Sequence, residues 1–404
     1  MRGPYSPVAM RLRTHAGFRL FWAASTVSDF GTPVTTLAIQ VLVVTTLSGS
    51  AADVGLVNAA RWLPYLLVGV LVGALADRVR RKPLLVGTDL ARGVLLCAVP
   101  LLAWPGALSV PLLAGLMAVF GLLSLGNDAA HQSFLPRLLP REALTRANVR
   151  LSQSSAAADT AGPALGGGLV AWLGAPAAVL VDAGTYLGSG LLISRVRLTD
   201  LPAPTRESLW REIREGLAWV YGHPMLRPLS LTTHGWFACY AVLGAVYVPY
   251  GLLRLGFSPA GLGVTLALAG VGGLAGAGLS ERLGRPGLTI PLAWLLQAAG
   301  IAVLAVTPAG GLVVACVGNL VNGFGLGLSS PLELAYRQQI TPDRLQARTN
   351  ATMRSLNRAA VVVGAPLGGL LADSAGYRLA LWVSAAGVAL AGLALLASPF
   401  RTAR

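Results

Sequence analysis

Charge, lysine and cysteine are all scarce in this chain. Asp, Glu, Lys and Arg together make up only 12% of its 404 residues, too few to cover a water-soluble globule of that length. Lys82 is the only lysine among 31 basic residues, an imbalance that supports no mechanism. Cys97, Cys239 and Cys316 lie far apart inside apolar stretches, a spacing that fits neither a disulfide framework nor a metal site, so all three are expected as small buried residues. There is no ten-residue alternation of a membrane barrel, no clustered His/Cys/Glu set and no nucleophile triad. Gly270-Val-Gly272-Gly273 and Gly323-Phe-Gly325-Leu-Gly327 lie within apolar segments with no adjoining strand, so they are not nucleotide loops. A soluble domain and a barrel are excluded, and a membrane enzyme or receptor is disfavoured.

What is abundant is hydrophobic sequence: 54% of residues, with a mean hydropathy of +0.66. Apolar runs able to cross about 30 Å of hydrocarbon as helices of roughly 20 residues recur at 18–46, 52–76, 84–104, 108–130, 152–172 and 176–194. They recur again at 228–253, 259–280, 287–307, 310–333, 350–371 and 377–398. The first is too long for a signal-peptide core and lacks a small-residue cleavage site, so it is expected to be retained. Only helices satisfy backbone amides inside lipid. The expected fold is an all-α integral membrane protein with twelve transmembrane helices in two pseudo-symmetric six-helix bundles.

The net charge of +15 is distributed in a telling way. Except for Arg61, Arg92, Arg254 and Arg378, the basic residues fall in the termini or in alternate connections, at 78–82, 137–150, 195–227, 282–285 and 337–358. The connections near 105, 174 and 308 carry none. This positive-inside pattern places both termini and the long central connection in the cytoplasm, with the chain in the inner (plasma) membrane. It also argues against a nucleic-acid partner, whose basic face need not alternate with apolar spans.

The chain is also written twice. An offset of 202 residues carries Pro140, Arg146 and Asn148 onto Pro342, Arg348 and Asn350, and Gly162, Leu165, Gly166 and Gly167 onto Gly364, Leu367, Gly368 and Gly369. Tandem halves facing a central site are a common plan of membrane transporters. The expected units are a bundle at 1–194, a linker at 195–227 and a second bundle at 228–404. Within the linker, Leu209, Ile213, Leu217 and Val220 recur at helical spacing opposite Arg211, Glu212, Arg214 and Glu215, which predicts an amphipathic helix on the inner surface.

The run Gly73-Ala-Leu75-Ala76-Asp77-Arg78-Val-Arg80-Arg81-Lys82 resembles the signature loop between helices 2 and 3 of the major facilitator superfamily, with Arg80 replacing a glycine. A degraded copy, Leu279-Ser-Glu281-Arg282-Leu-Gly284-Arg285, occupies the matching place in the second half. The resemblance implies a latch in which an acid caps a neighbouring helix and pairs with arginine in one closed state. Gly162-Pro163-Ala-Leu-Gly166-Gly167 resembles a motif of drug:proton antiporters, which are exporters. Asp89 with Arg92, the stretch 135–148 and Val181-Asp182-Ala183 are similar to the twelve-helix exporters that include macrolide-efflux and enterobactin-exporter-like proteins. The fourth segment lacks the arginine of the better understood antiporters' proton-coupling motif, which puts that coupling route in doubt here.

Acids inside the membrane are the chemical candidates, since one at the bilayer centre costs about 2.5–3.5 kcal/mol to insert. Asp29 is central in its segment with no nearby base and is expected either to bind a proton or a cationic substrate group or to hydrogen-bond across helices. Asp128 and Glu333 sit near inner ends, as gating partners or substrate contacts, and Asp159 and Asp182 are expected in interhelical hydrogen bonds. His131, near Glu333's repeat position, is a bystander or a proton relay. Asp89 and Arg92, three apart, neutralise each other. Arg61 either binds an anionic substrate or pairs with Asp29 or Asp53. Cavity walls are expected from Gln40, Asn58, His234, Trp236, Tyr240, Tyr247, Asn319 and Asn322, with Asp77, Arg78, Arg81, Lys82, Asp89, Arg92, Gly162, Pro163, Gly166 and Gly167 controlling opening. The expected protein is a monomeric exporter of amphipathic drugs or siderophore-like metabolites, driven by the proton gradient without a bound cofactor. An importer of a small nutrient, or a lysolipid translocator with the same fold, is the alternative.

Overall fold

A computed structural model describes residue 12, residues 15–198 and residues 209–403, with side chains described except at 70–78, 141, 209, 210, 281 and 347. Pro202, Pro204 and Arg206 of the central connection therefore lie outside the described residues. The first half comprises α1 (Ala16–Thr45), α2 (Ala51–Arg78), α3 (Arg81–Ala103), α4 (Val110–Leu138), α5 (Arg141–Leu173) and α6 (Ala175–Ser194). A short α7 (Leu209–Gly222) leads into α8 (Leu226–Leu253), α9 (Pro259–Leu283), α10 (Pro286–Val306), α11 (Leu312–Ile340), α12 (Asp343–Ala375) and α13 (Tyr377–Ala397). The expected segments all recur as helices, several extended by two or more turns at the end that carries the arginines.

Local chemistry sets the boundaries. Ser50 and Asp53 form a reciprocal capping box at the start of α2, and Ser109 and Ser258 cap α4 and α9 just ahead of a proline in the first turn. Gly174 and Gly376, 202 residues apart, take φ of 81° and 97° and turn α5 into α6 and α12 into α13 in the same way.

Among the described residues, ten helices are long and apolar enough to cross a membrane; α2 and α5 are the long helices outside that set. In α5 the stretch from 141 to 159 carries Glu142, Arg146, Arg150 and Asp159, which leaves only a short apolar tail. Both pack between other helices, α2 against α4, α8 and α12, and α5 against α1, α6 and α9.

The packing repeats as faithfully as the sequence. Within the first half α1 packs on α5 and α6, α3 on α4 and α6, and α2 on α4; within the second, α8 packs on α12 and α13, α10 on α11 and α13, and α9 on α11. The halves meet through α2 with α12 and α5 with α9, a pair of contacts that exchange when the halves are swapped.

Buried polar knots hold each half. Asp89 accepts from Ser189 (2.7 Å) and Asn127 (3.0 Å) and pairs with Arg92, whose guanidinium lies 4.2 Å from the Tyr186 ring centre, so α3, α4 and α6 are tied at one point. In the second half Trp236 donates to Gln297 (3.1 Å), which donates to Ser329 (3.3 Å), linking α8, α10 and α11.

The α7 helix does not display its faces as expected. Gly216 and Val220 turn inward, and Leu217 from the expected apolar stripe is 37% exposed. Glu212 and Glu215, expected on the water side, instead reach Arg348 of α12. The side chain that decides the orientation is the α12 arginine, which lies more than 120 residues away and is invisible to helical periodicity.

Candidate functional site

The inter-half contacts are tightest at the end opposite the basic loops. There the Asp373 carboxylate on α12 accepts from the backbone amides of Ala51 (3.1 Å) and Ala52 (2.9 Å), capping α2 across the halves. The only signal Asp373 carries in the sequence is that of an acid closing an apolar segment.

The glycine motif sits at the same level and faces two ways. A Cβ on Gly162 would lie 2.7 Å from Pro33, and one on Gly166 would lie 3.0 Å from Val34, so both residues seat α5 on α1. A Cβ on Gly167 would lie 2.5 Å from the Pro259 carbonyl, so this residue seats α5 on α9 across the halves. The copy behaves identically: Gly364 and Gly368 face Ala238 and Val242 of α8, while Gly369 faces Ala51 of α2. The third glycine of each copy is thus the inter-half contact, and the first two are intra-half.

Between these seams and the basic end lie cavities of about 500, 380 and 240 Å³. The largest runs along Asn58, Trp236, Tyr240, Trp294, Glu333, Arg337 and Arg358. The second is walled by Gln40, Asp159, Pro163, Tyr240, Tyr247 and Asn319 and shares Tyr240 and Gly244 with the first. A narrow recess beside them is lined by Gln40, Asn58 and Arg61. The third lies between α2, α4 and α12 at Tyr65, Asp128, Gln132 and Arg354. The walls are mostly apolar and aromatic with few polar anchors, as an amphipathic ligand requires.

Of the residues expected in the cavity, Gln40, Asn58, Trp236, Tyr240, Tyr247 and Asn319 lie on these walls. His234 and Asn322 do not. His234 bridges Tyr221 (2.8 Å) and Asn357 (2.7 Å), and Asn322 is buried behind the wall, accepting from Tyr240 at 3.2 Å. Gln40 leaves its side-chain oxygen buried with no hydrogen-bond partner beside the recess it lines.

Arg61 pairs with neither Asp29 nor Asp53: it donates to Thr36 (3.1 Å) and lies over Trp62 and Phe120. Asp29 is half-buried on α1, one turn before Pro33, where Gly162 of α5 packs, which brings it to the level of Asp159 on α5. Asp159, expected in an interhelical hydrogen bond, instead lines the cavity. Asp128 accepts from Tyr65 at 2.7 Å, and Glu333 takes Arg337 (3.5 Å) and Thr233 (3.4 Å). His131 shares a hydrogen bond with Ser25 (3.0 Å) and stacks on Phe21, and Asp182 accepts from Thr185 at 2.8 Å. At the signature loop Arg81 donates to Ser133 of α4 (3.1 Å) and Lys82 is half-buried; the side chains of Asp77 and Arg78 lie outside the described ones. Asp89 and Arg92 lie in the buried knot of the first half, away from the seams.

Two interlocking helical halves around an aromatic inter-half cavity define a membrane transporter. The chain belongs to the major facilitator superfamily: residues 3–404 match its transmembrane secretion effector family. It is 30% identical to the uncharacterized MFS-type transporter y4rN of Sinorhizobium fredii over 78% of this chain and 79% of that one. It is 29% identical to the multidrug efflux pump Tap of Mycolicibacterium fortuitum over 82% of this chain and 83% of that one. With the enterobactin exporter EntS of Citrobacter koseri it shares 28% identity over 95% and 92%. Among solved structures, the fold matches a bacterial homologue of the iron transporter ferroportin (TM-score 0.74, 18% identity, 94% of this chain and 98% of that one). It also matches a bacterial homologue of the lysosomal transporter Spinster (TM-score 0.72, 14% identity, 99% and 98%).

Proposed function

We propose that this transporter is a proton-coupled exporter of amphipathic small molecules, with twelve membrane crossings and with its basic end and both termini on the cytoplasmic side of a bacterial plasma membrane. It works as a monomer and needs no bound cofactor. Its relatives' names, a multidrug efflux pump and an enterobactin exporter, favour export.

The observation that carries the coupling is the Asp29–Asp159 pair. The two acids stand four residues before Pro33 on α1 and Pro163 on α5, beside the seam where Gly162 meets Pro33, and Asp159 lines the cavity. Uptake of one proton removes their repulsion and lets α1 and α5 close; its release separates them again. Because Gly167 links α5 to α9, a change at the acids is passed straight to the contact between the halves. Substrate enters the cavity from the basic end while the Asp373 latch and the glycine seams hold the opposite end shut, and proton uptake from outside resets the cycle.

The test is purified protein in liposomes under an imposed pH gradient, screened with cationic dyes, macrolides and catecholate chelators, wild type against Asp29→Asn and Asp159→Asn. Gradient-driven flux that both substitutions abolish supports the reading; flux untouched by either removes the acid pair from coupling.

A further inference from the structure

Three guanidiniums from α2 and α12 line adjoining cavities with no carboxylate of their own: Arg61 the narrow recess, Arg358 the largest cavity and Arg354 the third. Arg61 and Arg358 approach the same indole, Trp62, at 5.5 and 3.6 Å from its ring centre, and Arg354 reaches the Gln132 side-chain amide, which accepts at 2.8 Å with its oxygen turned towards the guanidinium. None of the three has an acid within salt-bridge distance among the described residues. Of the nearby described carboxylates, Asp128 is held by Tyr65 and Asp182 accepts from Thr185, and Glu333 farther along the wall is taken up by Arg337. Arg358 feels the positive charges of both Arg354 and Arg61 as well as Asp128.

Arg61 and Arg358 are partly buried; like charges held together away from bulk water cost free energy, and an anion set between them returns it. A guanidinium stacked on an aromatic face keeps its N–H edge free to grip an oxyanion with two hydrogen bonds. The surroundings supply the rest of a ligand site. Asn58 lines both the recess that holds Arg61 and the large cavity that holds Arg358. On that cavity's far wall Trp236 and Tyr240 stack with ring centres 4.6 Å apart and a 12° tilt.

Resting on the exporter reading, we propose that the transported molecule is an amphipathic anion whose acid head sits between Arg61 and Arg358 and whose aromatic body lies against Trp236 and Tyr240. Asp159 lines the second cavity and forms no salt bridge with any of the three among the described residues.

The test uses the full chain in zwitterionic nanodiscs, with binding read by energy transfer from tryptophan to pyrene and empty discs subtracted. The probes are 1-pyrenebutyrate, its methyl ester and the matching pyrenebutyl trimethylammonium. The acid is expected to bind about tenfold or more tightly than either analogue, and the preference to shrink towards one in Arg61→Gln/Arg358→Gln. Equal or tighter binding of the ester or the cation by the wild type overturns the proposal, even where the variant does not fold. So does an acid preference that survives the double substitution. Phosphatidylglycerol added to the discs is expected to leave the preference intact; if it displaces the acid, the site holds a bilayer lipid and the proposal fails. Selective acid binding without vectorial flux in liposomes would sink the exporter reading alone.

Discussion

Replacing Asp373 with alanine removes the carboxylate that caps α2 from the opposite half. Two backbone amides, of Ala51 and Ala52, lose acceptors at 3.1 and 2.9 Å. Charge-assisted hydrogen bonds contribute about 1.5–3 kcal/mol each when buried, but Asp373 is exposed, and water and salt screen both the charge and the helix-end dipole. A total of about 1–2 kcal/mol for the closed state is the reasonable figure, and at 1.36 kcal/mol per tenfold this raises the population open at that end by about 5–30-fold. The assay is labelling of Gln40→Cys by a membrane-impermeant maleimide in a background lacking Cys97, Cys239 and Cys316, in right-side-out vesicles. Asp373→Ala should label faster by that factor and Asp373→Glu should stay near wild type. An unchanged or slower rate for Asp373→Ala refutes the latch.

Other outcomes follow from the same geometry. Asp89→Ala strands the buried Arg92 guanidinium and should cost about 3–5 kcal/mol of folding stability, seen as loss of folded protein on thermal gel filtration. Gly167→Val drives a side chain into the Pro259 carbonyl and should cost about 1–3 kcal/mol in the state where the halves touch, slowing transport while leaving each half folded; wild-type flux would count against the seam. On α7, the Arg211 hydrogen bond first, and the charge of Arg348 after it, hold Glu215 below the usual carboxylate range. A depressed acid contributes fully above its unfolded value and is lost as pH falls through its own lower one, so α7 should keep its hydrogen-exchange protection at about pH 5 and lose it only below about pH 4. Burial lowers His223, whose ring accepts from the amides of Met225 and Leu226; its contribution is complete above about pH 6.5 and erodes below, so the start of α8 should fray on mild acidification.

The fold was legible because lipid imposes a simple rule: each crossing must be a long apolar helix, and such runs are written openly in the chain. The 202-residue repeat was equally plain, and it reappears as α5 and α12, both 33 residues long and both carrying glycines that seat on equivalent helices. The site was legible only in part. Trp236, Tyr240 and Tyr247 stood out as polar-edged aromatics in an aliphatic span, and they line or support the cavity. Arg354 and Arg358 were grouped with loop charges, yet α12 begins at Asp343 and carries both onto inner walls. Which acid meets which partner was hidden for a general reason. Asp373 and Ala51 are more than 300 residues apart, and Asp29 and Asp159 belong to different helices, so no local spacing announces either contact. The α7 faces were misassigned for the same reason, since Arg348 outweighs the helix's own periodicity.

Reciprocal motion of the two ends decides the matter most directly. Spin labels at Ala107 and Ala309 report the latch end, and labels at Val79 and Arg285 report the basic end, with distances read by pulsed electron resonance in nanodiscs at pH 8 and pH 5. Two rocking halves predict that protonation shortens the first distance while lengthening the second, and that Asp29→Asn freezes both. Distances that stay fixed, or that change in the same sense at both ends, contradict alternating access by this chain.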